Sequence, residues 1–164
     1  MNRLSTGFFA LAVAAFAGGA SAQETASPPA EGWTTQCVTA SRGPRPDCSA
    51  VQQVILTESR QLVASVTVTV PGETPRPNIL FRIPIGLYIP FGLKIDVDGS
   101  EVQTYELQTC DQTGCYASSL LSDAMLNTLR RGGTLGLSFQ NLNRETMRIP
   151  VPLAGFAAAF DRIR

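Results

Sequence analysis

Four cysteines and a short run of carboxylates are the side chains in this sequence best suited to chemistry. Cys110 and Cys115 enclose Asp111-Gln112-Thr113-Gly114, while Cys37 and Cys48 enclose a longer stretch containing Gly43, Pro44 and Pro46. Thiols so placed can ligate a metal, exchange electrons or form disulfides. The metal reading fits poorly, because neither spacing is Cys-x-x-Cys and the chain holds 0 histidines. Thiol oxidoreductases place Cys-x-x-Cys at a helix N-terminus, where the thiolate is stabilised. Here the flanks are strand-like, and Asp111 would raise a neighbouring thiol pKa instead. Disulfides remain, and four cysteines allow three pairings. The local pairs Cys37–Cys48 and Cys110–Cys115 are favoured, since each brackets a turn-forming stretch and Gly114 can supply a positive φ. Crossed bridges between the two regions stay open.

The carboxylates Asp96, Asp98 and Glu101 stand in IDVDGSE. Asp96 and Asp98 are two apart on an expected strand, hence on one face. They could make a cation site or an acid–base pair, and the D-x-D-G portion matches the start of a calcium loop. The later glutamate of a full loop is missing. The plainer reading is a polar strand end entering an Asp-Gly turn. A third unusual segment is IPIGLYIPFGL, residues 83–93. It is almost wholly apolar, yet its prolines and glycines forbid a regular helix or central strand. It is either a cover over the core or an exposed partner-binding loop with Tyr88, Ile89 and Phe91 as contacts.

The lack of histidine removes Ser-His-Asp and Cys-His nucleophile systems and His-based proton transfer. Carboxylates, Lys94, tyrosines and cysteines are what is left for catalysis. No basic run is present, so nucleic acid and anionic membrane surfaces have no electrostatic support as partners.

These residues need positioning elements, and the sequence marks them as strands. The clearest is RQLVASVTVTV, 60–70, in which Leu62, Ala64, Val66, Val68 and Val70 alternate with mostly polar residues. Other strand candidates are 33–38, 47–57, 78–83, 92–98, 102–109, 115–120, 134–141 and 146–151. Asp98-Gly99 is a short-hairpin turn signal between two of them. The segment 122–133 reads as a helix, with Ser122 as its cap, Arg130 and Arg131 near its C-terminal dipole, and Gly132-Gly133 as its stop. A second short helix is expected in 153–163. Many short strands with Pro and Gly turns imply an all-β fold, mainly an antiparallel β-sandwich with one or two short helices. An outer-membrane barrel fits less well. Most of the strands fall short of the ~9–11 residues a membrane strand needs, and too few aromatics remain for two girdles.

The first residues read as a secretory signal peptide, 1–22. A short basic start precedes the apolar run Gly7–Ala20, and Ala20-Ser21-Ala22 forms a cleavage site. Residues 23–31 read as a flexible leader, and 32–164 as one domain. Cleavage after Ala22 removes Arg3 and leaves 12 basic against 13 acidic side chains, a net charge of −1. No transmembrane segment is expected in the mature chain.

The ordered set GWTTQC (32–37), Cys48, PFGLKIDVDG (90–99), YELQTCDQTGC (105–115), the Leu-Arg helix and LAGFAAAFD (153–161) resembles the invasion-associated locus B proteins of Gram-negative bacteria. The resemblance covers 32–163. It implies an exported β-sandwich with paired cysteines Cys37, Cys48, Cys110 and Cys115 and no established catalytic residues. The family is named for host-cell invasion but extends to bacteria that invade nothing, so it implies an envelope or secreted factor. The expected function is thus non-catalytic binding, periplasmic or secreted, to a protein or envelope component, with no cofactor and no metal. A carboxylate-based hydrolase and a purely structural envelope factor are the alternatives.

Overall fold

The computed structural model describes residues 32–39, 45–74 and 76–164. The expected signal peptide and leader lie outside the described residues.

Ten strands and two helices make up the described chain. In chain order they are β1 (Thr34–Val38), β2 (Asp47–Ile55), β3 (Leu62–Val70), β4 (Asn78–Ile83), β5 (Leu93–Val97) and β6 (Ser100–Tyr105). Then come β7 (Thr109–Cys110), β8 (Cys115–Leu120), α1 (Asp123–Arg131), β9 (Thr134–Gln140), β10 (Thr146–Pro152) and α2 (Phe156–Ile163). One sheet has the order β1-β2-β3-β4-β8-β7 and the other β10-β9-β5-β6, with every pairing antiparallel. The protein is an all-β sandwich with two short helices.

The β3 alternation explains the first sheet. Ala64, Val66 and Val68 are fully buried while Ser65, Thr67 and Thr69 face outward. Ile79, Phe81 and Ile83 of β4 and Ala117 of β8 continue the inner face. Leu93 and Ile95 of β5 and Leu135, Leu137 and Phe139 of β9 supply the opposing layer. Phe81 meets Tyr105 across the sheets at 5.1 Å between ring centroids. Each buried Val, Leu, Ile or Phe among these contributes about 1.5–3 kcal/mol.

The two helices close one side of the sandwich. Ser122 caps α1, its hydroxyl accepting from the Met125 amide at 3.2 Å. In α2 the buried residues Phe156, Ala159, Phe160 and Ile163 fall at helical spacing and pack over β1, β2 and β3. Arg130 of α1 grips Asp161 of α2 with two hydrogen bonds of 2.9 and 3.0 Å.

One expected strand proves to be two. Residues 102–109 read as a single extended run, but β6 stops at Tyr105 and β7 starts at Thr109 in the other sheet. The chain changes layers at Glu106-Leu107-Gln108, where Leu107 packs against the core and the Gln108 amide donates to the Tyr116 carbonyl. The cause is long-range. Tyr105 pairs with Leu93 and Thr109 with Tyr116, so the partners on either side of the break belong to different sheets.

Candidate functional site

The cysteines form two disulfides, Cys37–Cys48 and Cys110–Cys115. Each joins residues directly opposite in an antiparallel pair, Cys37 with Cys48 across β1–β2 and Cys110 with Cys115 across β7–β8. No free thiol exists among the described residues. The turn between Cys110 and Cys115 is built around Asp111. Its Oδ1 accepts from the Thr113 amide at 2.7 Å, the Thr113 hydroxyl at 2.7 Å and the Gly114 amide at 3.0 Å. The Thr113 hydroxyl, the Thr113 amide and Gly114 together hold the Asp111 carboxyl below the usual carboxylate range. The Arg82 guanidinium bonds the Thr113 carbonyl from beneath. Gly114 does not have the positive φ expected of it. Glycine stands there because a Cβ would press on the Ile83 carbonyl oxygen at 2.7 Å.

Asp96 and Asp98 do not share a face. β5 ends at Val97, and Asp98-Gly99 forms a two-residue hairpin turn with φ of 52° and 84°. Those paired positive values are what Asp-Gly favours. The turn swings Asp98 away, and its carboxylate accepts from the Gly133 amide (3.0 Å) and the Thr134 amide (2.8 Å). Asp98 therefore pins the link from α1 to β9. Asp96 stays on the outer face of β5, bound at both oxygens by Arg148 of β10. That hydrogen-bonded guanidinium lowers the Asp96 pKa, although burial opposes the shift. A general acid needs the opposite shift.

Segment 83–93 both covers the core and reaches solvent. Leu87 is buried and bridges to Asn141 in the turn between β9 and β10. The Tyr88 amide donates to the Gln140 carbonyl at 2.9 Å. Arg144 lies over the Tyr88 ring, 4.8 Å from its centroid. With Leu87 and Tyr88 so anchored, a 3-10 turn at Ile89–Phe91 follows. Ile85 and Ile89 are left 57% and 47% exposed, and Leu142 on the facing turn is 74% exposed. Phe91 points the other way, into a groove on the outer face of the four-stranded sheet.

That groove encloses about 370 Å³ and is lined by Phe91, Lys94, Asp96, Glu101, Ser138 and Arg148, among others. Register builds it. Lys94, Ser138 and Arg148 lie side by side on β5, β9 and β10, and Glu101 faces Asp96 across β5–β6. Sequence reading does not find Arg148, because its meeting with Asp96 requires the strand order β5-β9-β10. The available hint is Gly136 inside a strand, a common mark of close approach.

A family model described as invasion associated locus B (IalB) protein matches residues 33–164. Among solved structures, the crystal structure of invasion associated protein B from Bartonella henselae is similar, with a TM-score of 0.70 and 18% sequence identity. The match covers 80% of this chain and 89% of that one, and at this identity it speaks for the fold. No curated protein matches the chain.

Proposed function

The chain belongs to the invasion associated locus B family, and from that premise we propose that it is an exported, non-catalytic binding protein of the bacterial envelope. Its contact surface is the loop at Tyr88 and Ile89, extended by Ile85 and Leu142, with Phe91 turned away from it toward the groove. The observation that carries this reading is the exposure of Ile85, Ile89 and Leu142 on two loops locked together through Leu87 and Tyr88. Exposed aliphatic side chains on a rigid support lose little entropy on docking, which favours a preformed partner surface. The partner is a protein or envelope component with an apolar patch of its own. A role in host-cell contact, as the name of the Bartonella protein suggests for that protein, is one setting for such binding.

Export is supported by the apolar run Gly7–Ala20 with its Ala-Ser-Ala ending, and by two disulfides of the kind an oxidising compartment maintains. The hydrolase reading draws less support, since Asp96 and Asp98 are held apart and each is committed to the fold. Photo-crosslinking from position 89 in the native envelope tests the proposal. One dominant adduct that disappears with Leu142→Asp is the expected result. Adducts unaffected by Leu142→Asp and Ile85→Asp, or none at all, would count against it.

A further inference from the structure

The groove on the four-stranded sheet offers more hydrogen-bonding capacity than the fold uses. Asp96 and Arg148 satisfy one another, with Nε to Oδ2 at 2.9 Å and Nη2 to Oδ1 at 2.6 Å. The Lys94 ammonium and the Glu101 carboxylate line the same groove but form no ion pair among the described residues. Lys94 instead rests over the Phe91 ring, 5.3 Å from its centroid. The hydroxyls of Ser138 and Thr146 add groups that both donate and accept.

The charges in the groove cancel, with Lys94 and Arg148 against Asp96 and Glu101. A phosphate, a polyanion or a polycation gains no net attraction there. What fits is a neutral molecule whose polar groups donate and accept at once, and whose other surfaces are apolar enough to lie on an aromatic ring. Sugar hydroxyls and the C–H faces of pyranose rings have that combination. The volume, near 370 Å³, is at the small end of the about 300–1,000 Å³ typical of ligand clefts. The groove is also open to solvent, which suits a chain of rings more than an engulfed monomer.

We propose that this groove binds a neutral oligosaccharide. Phe91 forms the apolar wall, Glu101 accepts from ring hydroxyls, and Lys94 and Arg148 donate to ring oxygens. Asp96 is a positioning residue that holds Arg148 in place. Phe91 lines this groove and not the exposed patch of Ile85, Ile89 and Leu142, so either site can stand without the other.

The test is an NMR titration of the exported protein, produced from its full chain, with maltotriose, cellotriose and tri-N-acetylglucosamine, and with triglycine as a zwitterion of similar size. At least one sugar should shift the backbone amides of Lys94, Ser138 and Arg148 saturably, with a Kd near or below about 1 mM. Glu101→Gln should weaken binding about ten-fold, and Leu120→Ser, at an exposed position on the other sheet, should leave it unchanged. Both Glu101 and Lys94 are free of the ion pairs that hold the fold, so Lys94→Met serves as a second probe should Glu101→Gln misfold. No shift at those amides with any of the three sugars at about 10 mM overturns the proposal. So does a response to triglycine alone, or unaltered sugar binding by Glu101→Gln and Lys94→Met.

Discussion

Arg148 reaches across the whole width of β9 to hold Asp96. The pair spans two strand spacings, about 10 Å of sheet, and passes directly over Gly136 of β9, which faces Asp96 on one side and Pro150 on the other. A Cβ at Gly136 would take the space of both the Asp96 carboxylate and the Arg148 guanidinium. Gly136→Ala should therefore lower stability by about 1–3 kcal/mol. Arg148→Met, which keeps the stem and removes the charge, should cost about 1 kcal/mol. Chemical denaturation checks both. A Gly136→Ala protein as stable as the parent would show that the ion pair tolerates displacement.

The same pair gives the protein an acid edge. Arg148 depresses the pKa of Asp96, the Thr113 hydroxyl that of Asp111, and Arg130 that of Asp161. Each carboxyl binds its proton less readily folded than unfolded. The stability they contribute is complete above the unfolded value of about 3.9 and is lost as pH falls through the lower folded values. With 0 histidines in the chain, no imidazole step intervenes between about pH 5 and 8. Urea midpoints measured from pH 7 to pH 2 should stay level and then drop below about pH 4. Asp96→Asn should flatten part of that drop. A marked decline already complete by pH 5 would contradict the assignment.

Local chemistry carried most of what the sequence revealed. The Ala64-Val66-Val68 alternation, the Ser122 cap and the Asp98-Gly99 turn depend on neighbours within a few residues, and the structure realises each one. The break after Tyr105 depends on partners far along the chain, so locally the sequence reads as continuous strand. Gly114 shows a subtler limit. Its presence in a turn signals a backbone requirement, yet the requirement is steric room beside Ile83, not a left-handed φ. The groove was invisible for the same reason as the strand break. Lys94, Ser138 and Arg148 become neighbours only through sheet order.

The two disulfides should differ in weight. Cys37–Cys48 closes 11 positions of chain and ties the exposed edge strand β1 to β2, whereas Cys110–Cys115 closes only 5. Loop-closure entropy then assigns about 3 kcal/mol to the first and about 2 kcal/mol to the second. Paired Cys→Ser replacements followed by urea unfolding measure each value. The Cys37→Ser, Cys48→Ser protein should be the less stable of the two, and reversal of that order would mean that Asp111 and Arg82 depend on the second bond more than loop length predicts.

The proposed export has a sharp chemical readout. Intact mass or N-terminal sequencing of protein recovered outside the cytoplasm should begin at Gln23. Ala20→Asp places a charge where the cleavage site requires a small residue, so the precursor should accumulate. Recovery of a chain that retains Met1 would instead make Gly7–Ala20 an anchor.

Trp33 and Phe156 join the first strand region to the last helix. Their rings meet edge to face at 4.7 Å, and the Trp33 indole N–H donates to the Pro152 carbonyl at 3.0 Å. Phe156 is fully buried and also touches Phe160, 6.0 Å away between ring centroids. Phe156→Ala should cost about 3–5 kcal/mol, since α2 cannot settle onto β1 and β2 to fill the space left by the ring without giving up the Arg130–Asp161 link. The chain has 1 tryptophan, so fluorescence reports this contact without ambiguity. Loss of the Phe156 ring should shift Trp33 emission to the red in the folded protein, before any unfolding. A double-mutant cycle with Trp33→Ala should return a coupling of about 0.5–1.5 kcal/mol for the ring pair. Zero coupling would mean that Trp33 is held by its hydrogen bond to Pro152 alone, and that α2 docks on β2 and β3 without it.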